Sequence, residues 1–560
     1  MNAARRRSVP SVAFAIFYTI VLAIGVTLGI RTMVDGYSPI PSIDLWAFFD
    51  FIERGLDRDV GLSDLWAQWN EHRFLLARLH FLADYGIFEG RNVYLYAWIA
   101  ASCLLLAATF AVAVWFDTCD SVLTLGALAV AGTAALPLAG VENLTSAVQV
   151  QFVQVFLWAT VSILAIVLAA RSPVPRRQAL GCGVSALAAL VATYSLANGL
   201  TTWVIVVVLA ALLRMDGRWT VGLVIAALVT GASYLWHYES SDRTLSDPGG
   251  LVHYVVTYLG GAPTPGGGSA ALVGAAGLVL LGVLFALFFA NRLGGSLLVP
   301  FGVGVATFIV LTAAQTATGR LELGVSQALA SRYSIASYTF WLALFVGFLP
   351  VVRARLGAWS LAAPAYLAGA AVVALVAGYA ALPQSSQLRS QIAGRHVTLA
   401  SYRAGVEDIT LSLPHVEGSP AITRALRFLE REKLGPFAPG GPATTMRVGK
   451  PRTTTDHACF GEVEDVTAIG GDSRLVGWIA ARGGEASSPY LAVLDAEGRL
   501  AGVGYVGTHR PDVAQSGAAG SEWLGFVAYV RGRPTTPLDV VLLDEDGVEA
   551  LCRLRQPAVG

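Results

Sequence analysis

Charge is scarce in this 560-residue chain. Asp, Glu, Lys and Arg make up 14% of it, against 55% hydrophobic residues, whereas soluble domains carry about 25% charged residues. With a mean hydropathy of +0.60, most of the chain must face lipid or other apolar helices. Lysine is nearly missing: only Lys433 and Lys450 occur, so the basic residues are almost all arginine. The formal net charge is zero, which argues against nucleic acid as a partner. Nucleotide-binding loops of the Gly-x-x-x-x-Gly-Lys-Ser/Thr or Gly-x-Gly-x-x-Gly kind are missing, as are His-Glu-x-x-His, Cys-x-x-Cys and Gly-x-Ser-x-Gly. An ATP-driven pump, a zinc protease and a serine hydrolase are therefore disfavoured.

Cysteine is also sparse, with five in all. Cys103, Cys119 and Cys182 sit in or beside apolar stretches and read as small hydrophobes. Cys459 and Cys552 bracket the C-terminal region, which suggests a disulfide and hence an oxidising compartment. Two unrelated buried thiols are the alternative.

Long apolar runs are abundant. Stretches of about 20 apolar residues read as membrane helices, and about eleven are expected: 9–30, 93–115, 122–140, 147–170, 178–195, 197–213, 219–236, 270–290, 296–315, 334–352 and 360–382. The first follows Arg5, Arg6 and Arg7 but is longer than a signal-peptide core and has no clear Ala-x-Ala site, so it reads as a retained helix. Arg5–Arg7, Arg171, Arg176, Arg177, Arg214, Arg218, Arg292, Arg353 and Arg355 fall on one side, which is then cytoplasmic. The loop 116–121, with Asp117 and Asp120, carries no base and is the weak point. An odd number of spans leaves the N-terminus inside and the C-terminus outside, where a disulfide can form.

The expected architecture is a mainly α polytopic bundle at 1–383 with an outer loop at 31–92. An extracytoplasmic helical segment and linker follow at 384–455, then an extracytoplasmic β-sandwich at 456–560. Within the outer loop, 42–56 opens with a Ser cap and has amphipathic spacing. Segment 63–85 has helical spacing throughout, which would put Asp64, Gln68 and Glu71/His72 on one polar stripe beside Trp66 and Trp69. Polar groups recur on the same outer side. They include Glu142, Asn143, Gln149, Gln151 and Gln154, then Ser195 to Gly199. The loop 237–269 follows, with His237, Asp242, Arg243 and Tyr258, and then 316–333, with Arg320, Glu322, Arg332 and Tyr333. Polar groups at membrane depth are costly and usually face a cavity or a partner. In the C-terminal region, Trp523 and the turn His509-Arg510-Pro511-Asp512 are candidate contacts for a glycan.

A carboxylate, an imidazole and guanidinium groups outside a helical bundle suit a transfer reaction. A base would deprotonate a hydroxyl while cations hold a phosphate leaving group. The layout resembles the GT-C-type integral membrane glycosyltransferases, in a bacterial branch. The residues carrying the resemblance are Trp69-Asn70-Glu71-His72-Arg73, Glu142-Asn143 with Gln149 and Gln151, Asn198-Gly199, and Ser331-Arg332-Tyr333 before the aromatic run Tyr338–Trp341. It covers about residues 10–440.

The resemblance implies an inverting enzyme of the bacterial inner membrane. Such an enzyme moves a sugar from a polyprenyl-phosphate donor to an envelope glycan or lipid hydroxyl, with a carboxylate of the first outer loop as base. The adjacent Asp-Asp or Asp-Glu pair common in such enzymes is missing after the first span, which leaves Asp44 and Glu71 as alternative bases. Gln68, Asn70, His72, Arg73, Glu142, Asn143, Gln149, Gln151, Asn198, Arg320, Arg332 and Tyr333 are the expected substrate contacts. Each has a plainer reading. Asp44 can cap a helix, Glu71 can pair with Arg73 or Arg78, the glutamines can bridge helices, and Arg332 can anchor a membrane edge. Carboxylates and His72 offer ligands to a divalent ion, but no spacing is distinctive, so a metal stays open and no cofactor is required. Other readings are a polysaccharide polymerase or ligase, a lipid-linked glycan transporter, and a non-catalytic glycan-binding scaffold. Against a transporter, no charge lies deep in mid-span and no paired broken helices occur.

Overall fold

The computed structural model describes residues 9–136, 140–239, 247–264, 267–290, 295–356, 361–380, 385–408, 418–441, 443, 457–481, 490–517, 521–534, 537–543 and 550–556. Arg5–Arg7, Asp242, Arg243, Arg292 and most of the 436–451 connector lie outside the described residues. In chain order the helices are α1 Val9–Asp35, α2 Phe49–Leu56, α3 Leu62–Trp66, α4 Leu75–Ile87, α5 Val93–Thr118, α6 Ser121–Ala135 and α7 Val141–Thr145. They continue as α8 Val150–Arg171, α9 Pro175–Thr193, α10 Leu200–Leu212, α11 Gly217–Leu235, α12 Pro248–Gly260, α13 Ala270–Phe289 and α14 Leu298–Arg320. The last are α15 Ser334–Arg355, α16 Ala362–Ala380, α17 Ser385–Ala404 and α18 Gly418–Glu432. The chain divides into two compact units: 1–35, 61–80 and 95–383 form one, and 36–60, 81–94 and 384–560 form the other.

The first unit is a helical bundle. Among the described residues, 8 helices are long and apolar enough to cross a membrane: α1, α5, α8, α11, α13, α14, α15 and α16. These helices are consistent with a multi-pass membrane protein, and three of the eleven expected spans lack that length or hydropathy among the described residues. The helix in 122–140 stops at Ala135, just before Pro137, as the residue ahead of a proline avoids helical geometry. The one in 197–213 opens with a 3-10 turn at Ala197–Gly199, leaving α10 only 13 residues. The first turn of α9 carries Arg176 and Arg177, and α9 is not among the eight. A further departure is α12, which occupies much of the expected loop 237–269.

Helices α8, α14 and α15 are the most buried spans and form the centre of the bundle. Small residues let them approach closely. A Cβ on Gly302 of α14 would stand 2.6 Å from the Ala343 carbonyl and 2.9 Å from the Gly347 Cα of α15. One end of the bundle is marked by Asp117, which accepts from the Leu297 N–H at 2.6 Å and stands 3.9 Å from Arg353. Arg171 also lies within its electrostatic reach.

In the second unit the strands are β1 Phe460–Ile469, β2 Asp472–Ala480, β3 Tyr490–Leu494, β4 Leu500–Thr508, β5 Gly525–Val530, β6 Leu538–Leu543 and β7 Ala550–Gln556. They form one antiparallel sheet in the order β1-β2-β5-β4-β3-β6-β7, not the expected two-sheet sandwich. Irregularities at Val463/Asp465, Val493/Leu494, Val506/Thr508 and Leu542/Leu543 bend it, since each bulge adds local twist. The sheet curls into a half-barrel whose two ends meet. There the Cys459 N–H donates to the Arg553 carbonyl at 3.0 Å and the Arg553 N–H to the His457 carbonyl at 2.8 Å. A Cys459–Cys552 disulfide closes the same seam, with Cα atoms 5.1 Å apart.

Side chains alternate between the two faces of each strand. Leu475, Ile479, Phe526, Val540 and Leu542 pack on the inner face. Val503, Tyr505, Tyr529 and Val541 lie on the other, beneath Ala393, Val397, Ala400 and Ala404 of α17. The segment 384–455 therefore does not stand apart as a linker, since α17 is one layer of the β-domain. Helix α18 serves the outer-loop segment: Phe428 meets Phe49 edge-on at 6.4 Å, and Arg431 pairs with Glu53 at 2.9 Å.

Candidate functional site

The expected continuous helix over 63–85 is broken between α3 and α4. Trp69 and His72 face each other across a two-residue turn, with N–H to carbonyl bonds of 2.8 and 2.9 Å in the two directions. Asn70 sits at φ +50°, the left-handed conformation such turns need and Asn tolerates. The polar stripe of Asp64, Gln68 and Glu71 is lost, because these residues no longer share a helix.

Side-chain bonds to backbone groups around the end of α11 hold the turn in place. The buried Arg73 donates from Nε to the Tyr234 carbonyl at 2.5 Å, from Nη1 to the Trp66 carbonyl at 2.6 Å, and from Nη2 to the Trp236 carbonyl. Gln68 donates to the carbonyls of Asn70 at 2.6 Å and Glu239 at 2.8 Å, while its Oε1 accepts from the Glu239 N–H at 3.0 Å. Both side chains thus hydrogen-bond to the backbone of the scaffold. Arg78 likewise donates to the carbonyls of Leu65 and Ala67.

His72 Nδ1 accepts from the Ala197 N–H at 3.3 Å. Burial pushes its imidazole down to about 4; the neighbouring Glu71 opposes that shift and Arg320 adds to it. The ring is neutral near pH 7, and Glu71 and Arg320 both lie within its field. Asn198 donates to Thr312 Oγ1 at 3.1 Å, which ties the 3-10 turn before α10 to α14.

A second cluster joins α7, α8 and the start of α15. Arg332 Nη1 lies 3.2 Å from Glu142 Oε1, and that oxygen also accepts from Gln149 Nε2 at 3.0 Å. Asn143 Nδ2 donates to the Arg332 carbonyl at 2.8 Å. The guanidinium stands 5.0 Å from the Tyr333 ring, which packs against Phe152 at 6.0 Å and Tyr258 at 5.0 Å. The buried Oε1 of Gln149, Oε1 of Gln151 and Oδ1 atoms of Asn143 and Asn198 have no hydrogen-bond partner among the described residues. Such atoms usually meet water or a ligand. Tyr254 lies in the field of both Arg332 and Arg320, and Glu142 pairs with Arg332.

The structure therefore brings Glu142, Asn143, Gln149, Arg332 and Tyr333 into one cluster, and His72, Glu71 and Arg320 into another. Asp44 falls in the second unit, on the 3-10 turn Ile43–Phe48. Among the described residues no group of three His, Cys, Asp or Glu side chains is placed to hold a metal ion.

An apolar groove of about 180 Å³ runs between α6, α13, α15 and α16, lined by Val130, Val273, Tyr338, Trp341, Phe345 and Ala374. Sequence reasoning missed it, because four separate helices supply its walls. The buried Tyr338 hydroxyl has no partner among the described residues. Sequence reasoning also missed Tyr234, whose hydroxyl donates to the Glu71 carbonyl at 3.0 Å; its only signal was the aromatic run at the end of α11. No family model, curated protein or solved structure matches the chain.

Proposed function

We propose that the chain is a membrane glycosyltransferase moving a sugar from a polyprenyl-phosphate donor to an envelope glycan or lipid hydroxyl, with inversion. One juxtaposition carries this reading. Arg332, in the 3-10 turn Ser331–Tyr333 that leads into α15, and Tyr338, near the start of α15, lie six residues apart. A charged cluster at the turn before α15 and an apolar groove along α15 thus follow one another. A donor with an anionic head and a long apolar tail has that same division. Arg320 and Arg332 would meet the phosphate, Arg332 exchanging part of its bond to Glu142 for it. The unpartnered amide oxygens of Asn143, Gln149 and Gln151 would accept from sugar hydroxyls. Glu71 or Asp44 would take the proton of the acceptor hydroxyl.

The arrangement fits eleven helical segments with α6, α9 and α10 as short members, the N-terminus inside and the C-terminus outside the bacterial inner membrane. Arg171 and Arg353 around Asp117 support a cytoplasmic assignment for that end. A disulfide in the C-terminal region suits an oxidising outer compartment.

The test is donor consumption. Purified protein in nanodiscs is offered a panel of radiolabelled polyprenyl-phosphate sugars, as wild type, Arg332→Gln, Glu71→Gln and Asp44→Asn. The expected result is transfer from at least one donor, reduced at least 100-fold in Arg332→Gln and in one of the two carboxylate variants. Lack of consumption of every donor by the wild type would remove the proposal.

A further inference from the structure

In the second unit a cavity of about 250 Å³ is lined by Tyr37, Arg91, His396, Tyr490 and the chain from Gly435 to Gly441. Its rim is built from distant stretches tied together. The Tyr37 hydroxyl donates to the Arg91 carbonyl at 2.9 Å, and Arg91 Nη2 donates to the Pro439 carbonyl at 3.3 Å. The Gly435 N–H donates to the Glu89 carbonyl at 2.7 Å. Gly435 itself sits at φ +56°, where a Cβ would come within 3.2 Å of the Pro39 carbonyl and 3.3 Å of that of Gly90. The narrow seam between these loops therefore requires glycine.

The aromatic wall is fixed in the same way. The His396 ring stacks on Tyr505 with centroids 4.6 Å apart and planes at 12°, and meets Tyr490 at 6.0 Å and 62°. Its Nδ1 is buried and has no hydrogen-bond partner among the described residues, and the same holds for Arg91 Nε. An apolar occupant would leave both groups without a partner, which disfavours it. The cavity is also balanced in charge. Among the described residues no carboxylate lines it, Arg91 already pairs with Glu89 at 2.5 Å, and burial pushes the His396 imidazole down to about 4, leaving it uncharged. Among the described lining residues, a phosphate or a carboxylate ligand would find only Arg91, which already pairs with Glu89. At about 250 Å³ the space is below the roughly 300 Å³ at which pockets for drug-sized ligands begin, so it suits a single small ring.

We infer that this cavity binds a neutral sugar residue, its ring faces against Tyr37 and Tyr490 and its hydroxyls on His396 Nδ1, Arg91 Nε and the peptide groups of 435–441. This assignment stands whether or not the bundle transfers sugar.

Saturation-transfer NMR on the full chain in nanodiscs tests it, with the methyl glycosides of glucose, galactose, mannose, arabinose and N-acetylglucosamine as probes and glucose 1-phosphate as the anionic control. At least one glycoside is expected to receive saturation. Its affinity should fall about tenfold in Tyr37→Ala, a rim change that leaves the packed core alone, and in His396→Phe, which keeps the stack on Tyr505 and removes the nitrogen. No transfer to any glycoside, affinities unchanged in both variants, or a preference for glucose 1-phosphate would each overturn the inference. Donor consumption is scored separately, so a silent cavity in an active transferase refutes this inference alone.

Discussion

Arg73 was expected to touch substrate, yet its guanidinium is spent on the carbonyls of Trp66, Tyr234 and Trp236. Arg73→Leu tests which reading holds. Hydrogen bonds to charged groups contribute about 1.5–3 kcal/mol each, so three of them set an upper limit near 9 kcal/mol. Relief from burying the cation offsets part of that, and breaking such buried networks costs about 3–5 kcal/mol. Three kilocalories correspond to about a hundredfold in the local opening constant.

Hydrogen exchange read by mass spectrometry on the full chain in nanodiscs should therefore show amides at 66–74 and 234–239 exchanging about a hundred times faster. Arg73→Lys should fall between the two, because an ammonium cannot reproduce the planar fork. Unchanged protection in Arg73→Leu, with a raised donor KM, would refute the scaffold role and return Arg73 to the substrate.

The pH dependence of His72 has a definite sign. Its imidazole is held near 4 in the folded chain and returns to about 6.5 on unfolding, so the unfolded state takes the proton first as pH falls. The stability from neutral His72 is complete above about pH 6.5 and is lost towards pH 4, by roughly 3 kcal/mol at most. His396 titrates in the same direction, so wild type and His72→Phe should be compared by thermal unfolding from pH 7 to 4.5, with the variant showing the smaller loss. The disulfide joins residues 93 apart, for which loop closure predicts about 4–5 kcal/mol. Cys552→Ser should lower the unfolding temperature of the β-domain, and an unchanged melt would contradict that. Gly302→Val should push α14 off α15 at a cost of about 1–3 kcal/mol or more, read as a lower melting temperature or reduced folded yield.

Much of the candidate site was legible in the sequence as residue types, and little of it as partners. Glu142, Asn143, Gln149 and Arg332 stood out because amides and charges are expensive next to apolar spans. That Arg332 meets Glu142 is a contact between residues 190 positions apart, and no local pattern carries it. Helical spacing over 63–85 misled, because a left-handed Asn70 and the carbonyls held by Arg73 outweigh periodicity there. Gln68 looked like a binding amide, yet Glu239 occupies both ends of it.

By itself the sequence determined a bundle of long apolar helices and a β-rich C-terminal region, since long apolar runs and period-two alternation are local properties of the chain. Tertiary structure alone decided that eight helices among the described residues have spanning length and that the strands curl into one sheet under α17. It also joined residues 36–60 and 81–94 to the C-terminal unit and shaped the two cavities. These depend on contacts between distant residues, where close glycine packing, bulges and buried donors seeking carbonyls select one arrangement among many that the local pattern allows.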